Sequence, residues 1–254
     1  MTDSKLDFSG RTALVTGAAS GIGAALARWL DAHGVGTLHL VDVNGEALEA
    51  LDLDCQVVNH VADVANPDFW AGFEKSAGKL DHAAVNAGIG TGGAMAEVGF
   101  DTWRKVMSVN LDGAFLTLAA ALRLMRANGR GSAVVTSSVT ALKPVPGIGP
   151  YGVAKAAVAH MARIAAAENA AHGIRVNAIA PGGVDTNIWE ASENFRAASA
   201  QHGREAAIAA MGASHPRGHF ATPEELANDI GYLLSDMSAN VTGTVLVSDG
   251  GYTF

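Results

Sequence analysis

Tyr151 and Lys155 stand four residues apart in a stretch that is typical of a long helix starting near Pro150. This spacing places both side chains on one face of a helix. A lysine ammonium beside a phenol favours the phenolate and lowers the tyrosine pKa from about 10. The pair is therefore a candidate general acid and base, although Tyr-x-x-x-Lys alone also occurs by chance on many surface helices.

Two further polar residues, Ser138 and Asn110, lie at positions that favour a role in a functional site. Ser138 follows an apolar run that predicts a strand, and ligands bind at the carboxyl edge of parallel sheets. A serine there can hydrogen-bond a substrate oxygen. Asn110 lies inside a predicted helix, where asparagine is unfavourable and invites a functional explanation. Ser138 has no evident histidine and acid partners, which argues against a hydrolytic triad. No histidine spacing predicts a metal site.

A glycine-rich turn follows the first predicted strand and opens a helix, with the sequence Thr16-Gly17-Ala-Ala-Ser20-Gly21-Ile22-Gly23. Gly17 permits a tight turn, Gly21 lets the backbone approach a pyrophosphate, and Gly23 allows close packing. The helix N-terminus presents free N–H groups to phosphates. A glycine turn alone is weak evidence, but its position between strand and helix predicts a dinucleotide site.

Asp42 ends the second predicted strand, roughly 20 residues beyond Gly23, where an acid reaches the adenosine ribose. Its carboxylate would repel a 2′-phosphate, and neighbouring Ser20 and Val43 carry no positive charge, so NAD(H) is favoured over NADP(H). The alternative is an aspartate that caps a helix. Asp63 either contacts the adenine edge or caps the helix that begins near Pro67.

Strand and helix patterns alternate along the whole chain. Predicted strands are 12–16, 37–41, 56–61, 80–85, 132–137, 174–179 and 245–247. Predicted helices are 21–33, 44–51, 67–77, 101–127, 150–172 and 222–234, the last opened by a capping box at Thr222-Pro-Glu-Glu225. This order predicts an α/β fold, a Rossmann-type doubly wound seven-stranded parallel sheet in one domain, 1–254. Residues 187–220 break the alternation and predict a helical substrate lid, or a helical pair packed permanently on the core.

Composition limits the class of protein. The chain has 254 residues and a formal net charge of −8, which argues against nucleic acid as a partner. A single cysteine, Cys55, excludes an internal disulfide framework. We find no apolar run of about 18 residues and no signal-peptide pattern near the N-terminus, so we expect no membrane segment and a cytoplasmic location.

Taken together, these motifs resemble the short-chain dehydrogenase/reductase family over nearly the whole chain. The matches, in order, are the glycine turn, Asp42, Asp63, Asn86-Ala87-Gly88, Asn110, Ser138, Tyr151-x-x-x-Lys155, Arg175-Val-Asn-Ala-Ile-Ala-Pro181-Gly182, Thr186 and Asp249-Gly250-Gly251. One departure is Val85, where many relatives place a second asparagine. The resemblance implies that Tyr151 is the general acid/base, tuned by Lys155, that Ser138 orients the substrate oxygen and that Asn110 supports a proton-relay water.

The resemblance also implies a cofactor site and a homotetramer formed through the two long helices and the C-terminal segment. We expect NAD to contact Gly17, Ser20, Gly21, Ile22, Gly23, Asp42, Val43, Asp63, Val64, Asn86, Ala87, Gly88, Tyr151, Lys155, Pro181, Gly182, Val184 and Thr186. We expect the substrate to contact Ser138, Thr140, Val145, Tyr151, Gly183 and Trp189, although packing is an equal alternative for Trp189.

Three functions remain open at this point. The first is NAD(H)-dependent interconversion of a secondary alcohol and a ketone, with a hydrophobic cyclic or aromatic small-molecule substrate. The second is reduction of a 3-oxoacyl thioester, for which Arg196, Arg204 and Arg217 could supply a basic cluster. The third is a non-catalytic protein that senses NAD(H). Loss of Tyr151, Lys155 or Ser138 would mark a sensor, and all three are present.

Overall fold

The computed structural model describes residues 6–254. The first five residues of the N-terminal stretch, for which we expect no signal peptide, lie outside this range. Within it, seven strands form one parallel sheet in the order β3-β2-β1-β4-β5-β6-β7. The strands are β1 Thr12–Thr16, β2 Thr37–Asp42, β3 Gln56–Val61, β4 His82–Val85, β5 Gly131–Thr136, β6 Ile174–Pro181 and β7 Val245–Ser248. The predicted doubly wound fold is confirmed, and β4 begins two residues later than predicted.

Helices cover both faces of the sheet. They are α1 Gly21–Ala32, α2 Gly45–Glu49, α3 Pro67–Ser76, α4 Phe100–Met107, α5 Ala114–Asn128, α6 Gly149–Asn169, α7 Glu193–His202, α8 Arg204–Gly212 and α9 Pro223–Leu234. One apolar core lies between the sheet and α3, α5 and α6, and the other lies between the sheet and α1, α2 and α9. Strands buried on both faces explain why their sequences are continuous apolar runs.

Several helix boundaries follow from capping chemistry visible in the sequence. The Thr222 hydroxyl accepts the N–H of Glu225 while the Glu225 carboxylate accepts the N–H of Thr222, which confirms the capping box of α9. Gly34 follows α1 with φ of 79°, a left-handed conformation that glycine adopts without strain. These local signals therefore fix where α1 ends and α9 begins.

The predicted helix 101–127 is not continuous. A wider π-helical segment, Ser108–Gly113, separates α4 from α5. By length and composition, the whole stretch Phe100–Asn128 is apolar enough to cross a membrane, although it contains charged residues and is not an unbroken apolar run. Half of its most apolar window is buried, and α5 packs on α3, β4 and β5, as the core helix of a soluble protein does.

Residues 187–220 are helical, as predicted. A short 3-10 turn, Asn187–Ala191, leads into α7 and α8. These helices enclose a small apolar cluster of their own, made of Phe195, Ala207, Ile208 and Phe220. The segment therefore has a local core, whether it moves as a lid or stays packed on the sheet.

A close approach between α1 and α9 supports a stability prediction. A Cβ built on Gly231 would lie 2.4–2.7 Å from ring atoms of Trp29, whose Nε1 donates to Asn228. We expect Gly231→Ala to lower the free energy of unfolding by about 1–3 kcal/mol, because the rigid ring must shift. Chemical denaturation measures this. The control is Gly72→Ala in α3, where a Cβ meets no atom within 4 Å and we expect a gain of roughly 0.5–1 kcal/mol. Equal effects at both positions would contradict this packing argument.

Two buried histidines predict sensitivity to acid. Burial lowers the pKa of His82 to about 3 and that of His39 to about 4. Their folded-state pKa values are depressed, so the unfolded chain takes up protons first as the pH falls below about 6.5. We expect the free energy of unfolding to fall by about 1.4 kcal/mol per pH unit for each histidine between pH 6 and 4.5.

His82→Leu tests this pH dependence. The Nδ1 of His82 donates to Ser132 Oγ (2.8 Å), but that hydroxyl also donates to the Leu234 carbonyl and keeps one partner in the variant. Denaturation between pH 6 and 4.5 should give a shallower slope for His82→Leu than for wild type. Parallel slopes would show that His82 does not resist protonation in the folded protein.

Candidate active site

The predicted site residues gather along the carboxyl edge of the sheet. The glycine turn follows β1, Asp42 ends β2, Asn86 follows β4, Ser138 follows β5 and the 181–186 segment follows β6. Parallel strands place these ends along one edge, with a crevice where the strand order reverses between β1 and β4. The fold therefore brings together residues that are far apart in the sequence.

The glycine turn presents its backbone, rather than side chains, to the crevice. Gly17 has φ of 65°, and a Cβ on it would lie 2.9 Å from Ala87 Cα. A Cβ on Gly23 would lie 2.0 Å from the Gly17 carbonyl oxygen, so Gly23 packs against the turn itself. The N-cap Ser20 makes no side-chain capping bond, and the first turn of α1 holds no acid. The N-terminal N–H groups thus face an environment that suits a phosphate.

Asp42 lies beside this turn. Its Oδ2 accepts the backbone N–H of Ala19 (3.0 Å) and its Oδ1 accepts the N–H of Asn44 (3.0 Å). Asn44, rather than Asp42, caps α2. The helix-cap alternative for Asp42 is therefore wrong, and its carboxylate is held between the glycine turn and the end of β2. Val43, which follows, is 70% exposed.

Asp63 and Val64 follow β3. The capping alternative for Asp63 is also wrong, because Asn66 caps α3 by accepting the N–H of Asp68. Asp63 instead accepts the N–H of Ala65 in a local turn. Val64 is 5% exposed, and its carbonyl accepts the indole N–H of Trp70 (2.8 Å). Contact of Asp63 or Val64 with adenine stays a prediction.

Asn86 links the ends of three strands through hydrogen bonds. Its backbone N–H donates to Thr16 Oγ1 (3.0 Å), its Nδ2 donates to the Thr16 carbonyl and its Oδ1 accepts the Thr136 hydroxyl. The N–H of Ala87 also donates to Thr16 Oγ1. The side chain of Asn86 therefore holds β1, β4 and β5 together beneath the crevice, in addition to any contact with a cofactor.

Asn110 lies in the π-helical segment and is 1% exposed. Its Oδ1 accepts the N–H of Ile89 (2.8 Å) and its Nδ2 donates to the Ile89 carbonyl (2.9 Å). A Cβ on Gly88 would lie 3.1 Å from this Oδ1 and 3.4 Å from Lys155 Nζ. The amide of Asn110 thus fixes the loop after β4 against the π-helical segment, close to the lysine.

Ser138, Tyr151 and Lys155 meet as the sequence predicts. The Ser138 hydroxyl accepts the N–H of Thr140 (3.2 Å) and interacts with the Tyr151 phenol. Lys155 Nζ lies 5.6 Å from the centre of the Tyr151 ring and donates to the Thr136 carbonyl (2.7 Å). Thr140 Oγ1 is buried with no hydrogen-bond partner among residues 6–254, and its contact with substrate stays a prediction. Sequence reasoning missed Thr136, which anchors both Lys155 and Asn86.

The electrostatics of this trio differ from the expectation. Burial raises the pKa of Tyr151, and the Ser138 hydroxyl offsets only part of this effect. Burial also lowers the pKa of Lys155 to about 8. The expectation that Lys155 lowers the Tyr151 pKa is wrong for the protein alone. Further positive charge beside the phenol is needed before Tyr151 acts as a base at neutral pH.

The segment after β6 reaches the glycine turn. A Cβ on Gly21 would lie 3.1 Å from Thr186 Cγ2, and Gly182 packs against Asp249 after β7. The Val184 carbonyl accepts the indole N–H of Trp189 (2.8 Å), whose ring stacks on Phe220. Phe220 also covers Gly183. Trp189 thus makes the contacts of a packing residue, and its contact with substrate stays a prediction, as does that of half-buried Val145.

All three lid arginines are paired. Arg204 contacts Asp185 (2.7 Å) and Glu190 (3.6 Å), and Arg217 contacts Glu225 (2.8 Å). Arg196 donates to the Glu190 carbonyl (2.7 Å). Residues 187–220 contain no lysine. Carboxylates of the protein itself therefore neutralise Arg204 and Arg217, whereas Arg196 keeps its charge beside a backbone carbonyl.

Comparison with known proteins decides the family. A family model described as Enoyl-(Acyl carrier protein) reductase matches residues 17–253. A solved short-chain type dehydrogenase/reductase from Mycobacterium marinum superposes with a TM-score of 0.86 at 30% identity, over 98% of this chain and 97% of that one. The chain belongs to the short-chain dehydrogenase/reductase family. Members of this family are oxidoreductases that use NAD(P).

Two curated relatives of this short-chain dehydrogenase/reductase are similar over nearly their full length. The cis-4-hydroxycyclohexanecarboxylate dehydrogenase of Sinomonas cyclohexanicum is 38% identical over 97% of this chain and 98% of its own. The cyclohexanol dehydrogenase of Acinetobacter sp. strain SE19 is 34% identical over 97% of this chain and 96% of its own. The predicted family resemblance is confirmed, and the chain is an oxidoreductase of alcohols and ketones.

Proposed function

We propose that this enzyme interconverts a neutral, cyclic secondary alcohol and its ketone with NAD(H). The observation that carries the substrate class is that carboxylates neutralise Arg204 and Arg217, two of the three arginines that could bind a carboxylate or phosphate. The relatives named for cyclohexanol and a hydroxycyclohexane acid support a ring-shaped substrate.

The residues present fit a dinucleotide. The side-chain-free cradle at Gly17 and Gly23 and the uncapped start of α1 suit a pyrophosphate. Asp42 would hold the adenosine ribose hydroxyls, and Lys155 would hold the nicotinamide ribose. When bound, the nicotinamide accepts hydride from an alcohol or supplies it to a ketone.

The chain's own residues move the proton and orient the substrate. Ser138 Oγ and the Tyr151 hydroxyl bind the substrate oxygen between them. In oxidation, the Tyr151 phenolate accepts the hydroxyl proton, and in reduction the phenol returns it to the developing alkoxide. Lys155, held by the Thr136 carbonyl, keeps positive charge beside the phenol. A cationic nicotinamide would add the further charge that lowers the Tyr151 pKa.

A 3-oxoacyl-thioester reductase is the second candidate within the family. The description of the matching family model, which names a carrier-protein substrate, favours it. Such a substrate carries phosphates, which bind best to cations near the mouth of the site. The neutralisation of Arg204 and Arg217 by carboxylates weighs against this candidate. A non-catalytic NAD(H) sensor is the candidate from another class, and the intact Ser138, Tyr151 and Lys155 weigh against it.

A substrate panel separates the two enzymes. We expect purified protein to reduce NAD⁺ with cyclohexanol, followed at 340 nm, with kcat/KM about tenfold or more above that for reduction of acetoacetyl-CoA, because two of the three lid arginines are already neutralised. A preference for the thioester would overturn the proposal and favour the second candidate.

The proposal includes a cytoplasmic homotetramer. Phe115 on α5 and Val153 and Ile164 on α6 are about half exposed, which suits helix packing between subunits. Light scattering after gel filtration measures the mass, for which we expect four chains.

A further inference from the structure

The residues after β7 form a fixed turn over the carboxyl edge of the sheet. Asp249 packs against Gly182, and its carboxylate accepts the N–H groups of Gly251 and Thr253, both at 2.8 Å. The Thr253 hydroxyl donates to the same carboxylate (2.7 Å). The C-terminal segment, residues 249–254, therefore has a defined position beside the 181–186 segment.

Tyr252 connects this segment to the loop that carries the catalytic serine. Lys143 Nζ lies 4.4 Å from the centre of the Tyr252 ring and donates to the Tyr252 carbonyl (3.0 Å). Lys143 belongs to the loop 139–148, which begins directly after Ser138 and ends shortly before Tyr151. A cation over a ring and a hydrogen bond to the same residue hold this loop to the C-terminal segment.

The Tyr252 ring also contacts the lid. The His215 ring stacks on Tyr252 (4.7 Å, 20°) and stands edge-on to Phe220 (4.9 Å, 86°). Phe220 in turn stacks on Trp189 (5.1 Å, 18°). We call Trp189, Phe220, His215 and Tyr252 the aromatic array. It runs from the start of the lid to its end, then to the C-terminal segment and the catalytic loop.

We propose that the aromatic array determines substrate specificity, with Tyr252 as the positioning residue that sets the distance between the lid and the loop 139–148. This inference rests on the proposed function. A substrate whose oxygen lies between Ser138 and Tyr151 must place its carbon skeleton between that loop and the lid. The array fixes this width by stacking, so the site selects a substrate ring that fits between the loop and the lid.

Tyr252→Ala removes the central ring, and Tyr252→Phe is the matched control that keeps it. We expect Tyr252→Ala to lower kcat/KM for cyclohexanol about tenfold, mainly through KM, because loss of the stacked ring shifts the wall of the site. The acyclic 2-propanol, which does not reach that wall, should change by about twofold or less, as should the Kd for NADH. Tyr252→Phe should match wild type. Equal losses with both alcohols, or none with either, would overturn the inference.

Limited trypsin digestion gives a readout that does not depend on the substrate. The lid offers cleavage sites at Arg196, Arg204 and Arg217, and we expect faster cleavage there in Tyr252→Ala than in Tyr252→Phe. If Tyr252→Ala fails to fold, Lys143→Met breaks the same link from the loop side and should behave alike. If wild type oxidises neither alcohol, the proposed function fails, and digestion alone decides whether the array holds the lid. Unchanged digestion would refute the array even in an active enzyme.

Discussion

Tyr151→Phe should reduce turnover of a cyclic alcohol by about 10²–10⁴-fold while leaving NADH binding within about twofold of wild type. Phenylalanine keeps the ring but has no hydroxyl to accept the substrate proton or to return it. The other groups at the site, Ser138 Oγ and Lys155 Nζ, stay in place, because Lys155 is held by the Thr136 carbonyl rather than by the phenol. Steady-state kinetics and fluorescence titration measure the two effects separately.

The matched control for this variant is Tyr232→Phe, which removes the same atom from a tyrosine that is 38% exposed on α9. We expect its activity and NADH affinity to equal those of wild type. Full activity in Tyr151→Phe would exclude Tyr151 as the general acid/base. An unchanged cellular role with turnover abolished would favour the sensor function instead.

Lys155→Met should lower both activity and cofactor affinity, in contrast to Tyr151→Phe. Methionine is similar in length and fits a buried position (Lys155 is 4% exposed), but it brings no charge. Without the ammonium, no lysine charge remains beside the phenol of Tyr151, whose pKa burial already raises. We expect kcat/KM to fall by about 10²-fold or more, as a misplaced or mistuned catalytic base does. We also expect weaker NADH binding, because the lysine would hold the nicotinamide ribose.

Lys105→Met is the control, since Lys105 is an exposed lysine of α4 away from the crevice. It should leave both quantities unchanged. Circular dichroism establishes that Lys155→Met is folded before the kinetics are compared. A folded Lys155→Met enzyme with unchanged NADH affinity would remove the cofactor role assigned to Lys155.

Most of the fold was predictable because its signals are local. Gly17 and Gly34 adopt left-handed conformations that suit glycine, and the Thr222 capping box marks the start of α9 within four residues of sequence. The π-helical segment at Ser108–Gly113 was not predictable, since the helical pattern of the sequence continues through it. The one sequence signal in this segment was Asn110, because asparagine is unfavourable inside a regular helix.

The site was predictable in its residues but less so in its energetics. The order and type of Ser138, Tyr151 and Lys155 show which groups meet. Burial, which raises the Tyr151 pKa and lowers that of Lys155, depends on the atoms of the whole fold. Pairing of the lid arginines joins positions such as Asp185 and Arg204, and no sequence pattern predicts such contacts.

Side-by-side titration of the wild-type protein with NADH and NADPH, followed by fluorescence, tests the central claim of an NAD-dependent enzyme most directly. Asp42 is held beside the glycine turn, where a 2′-phosphate would face its carboxylate. We therefore predict a Kd for NADH at least about tenfold below that for NADPH, the ratio given by about 1.4 kcal/mol of repulsion. An equal or tighter Kd for NADPH would contradict the role of Asp42 and favour a biosynthetic ketoreductase.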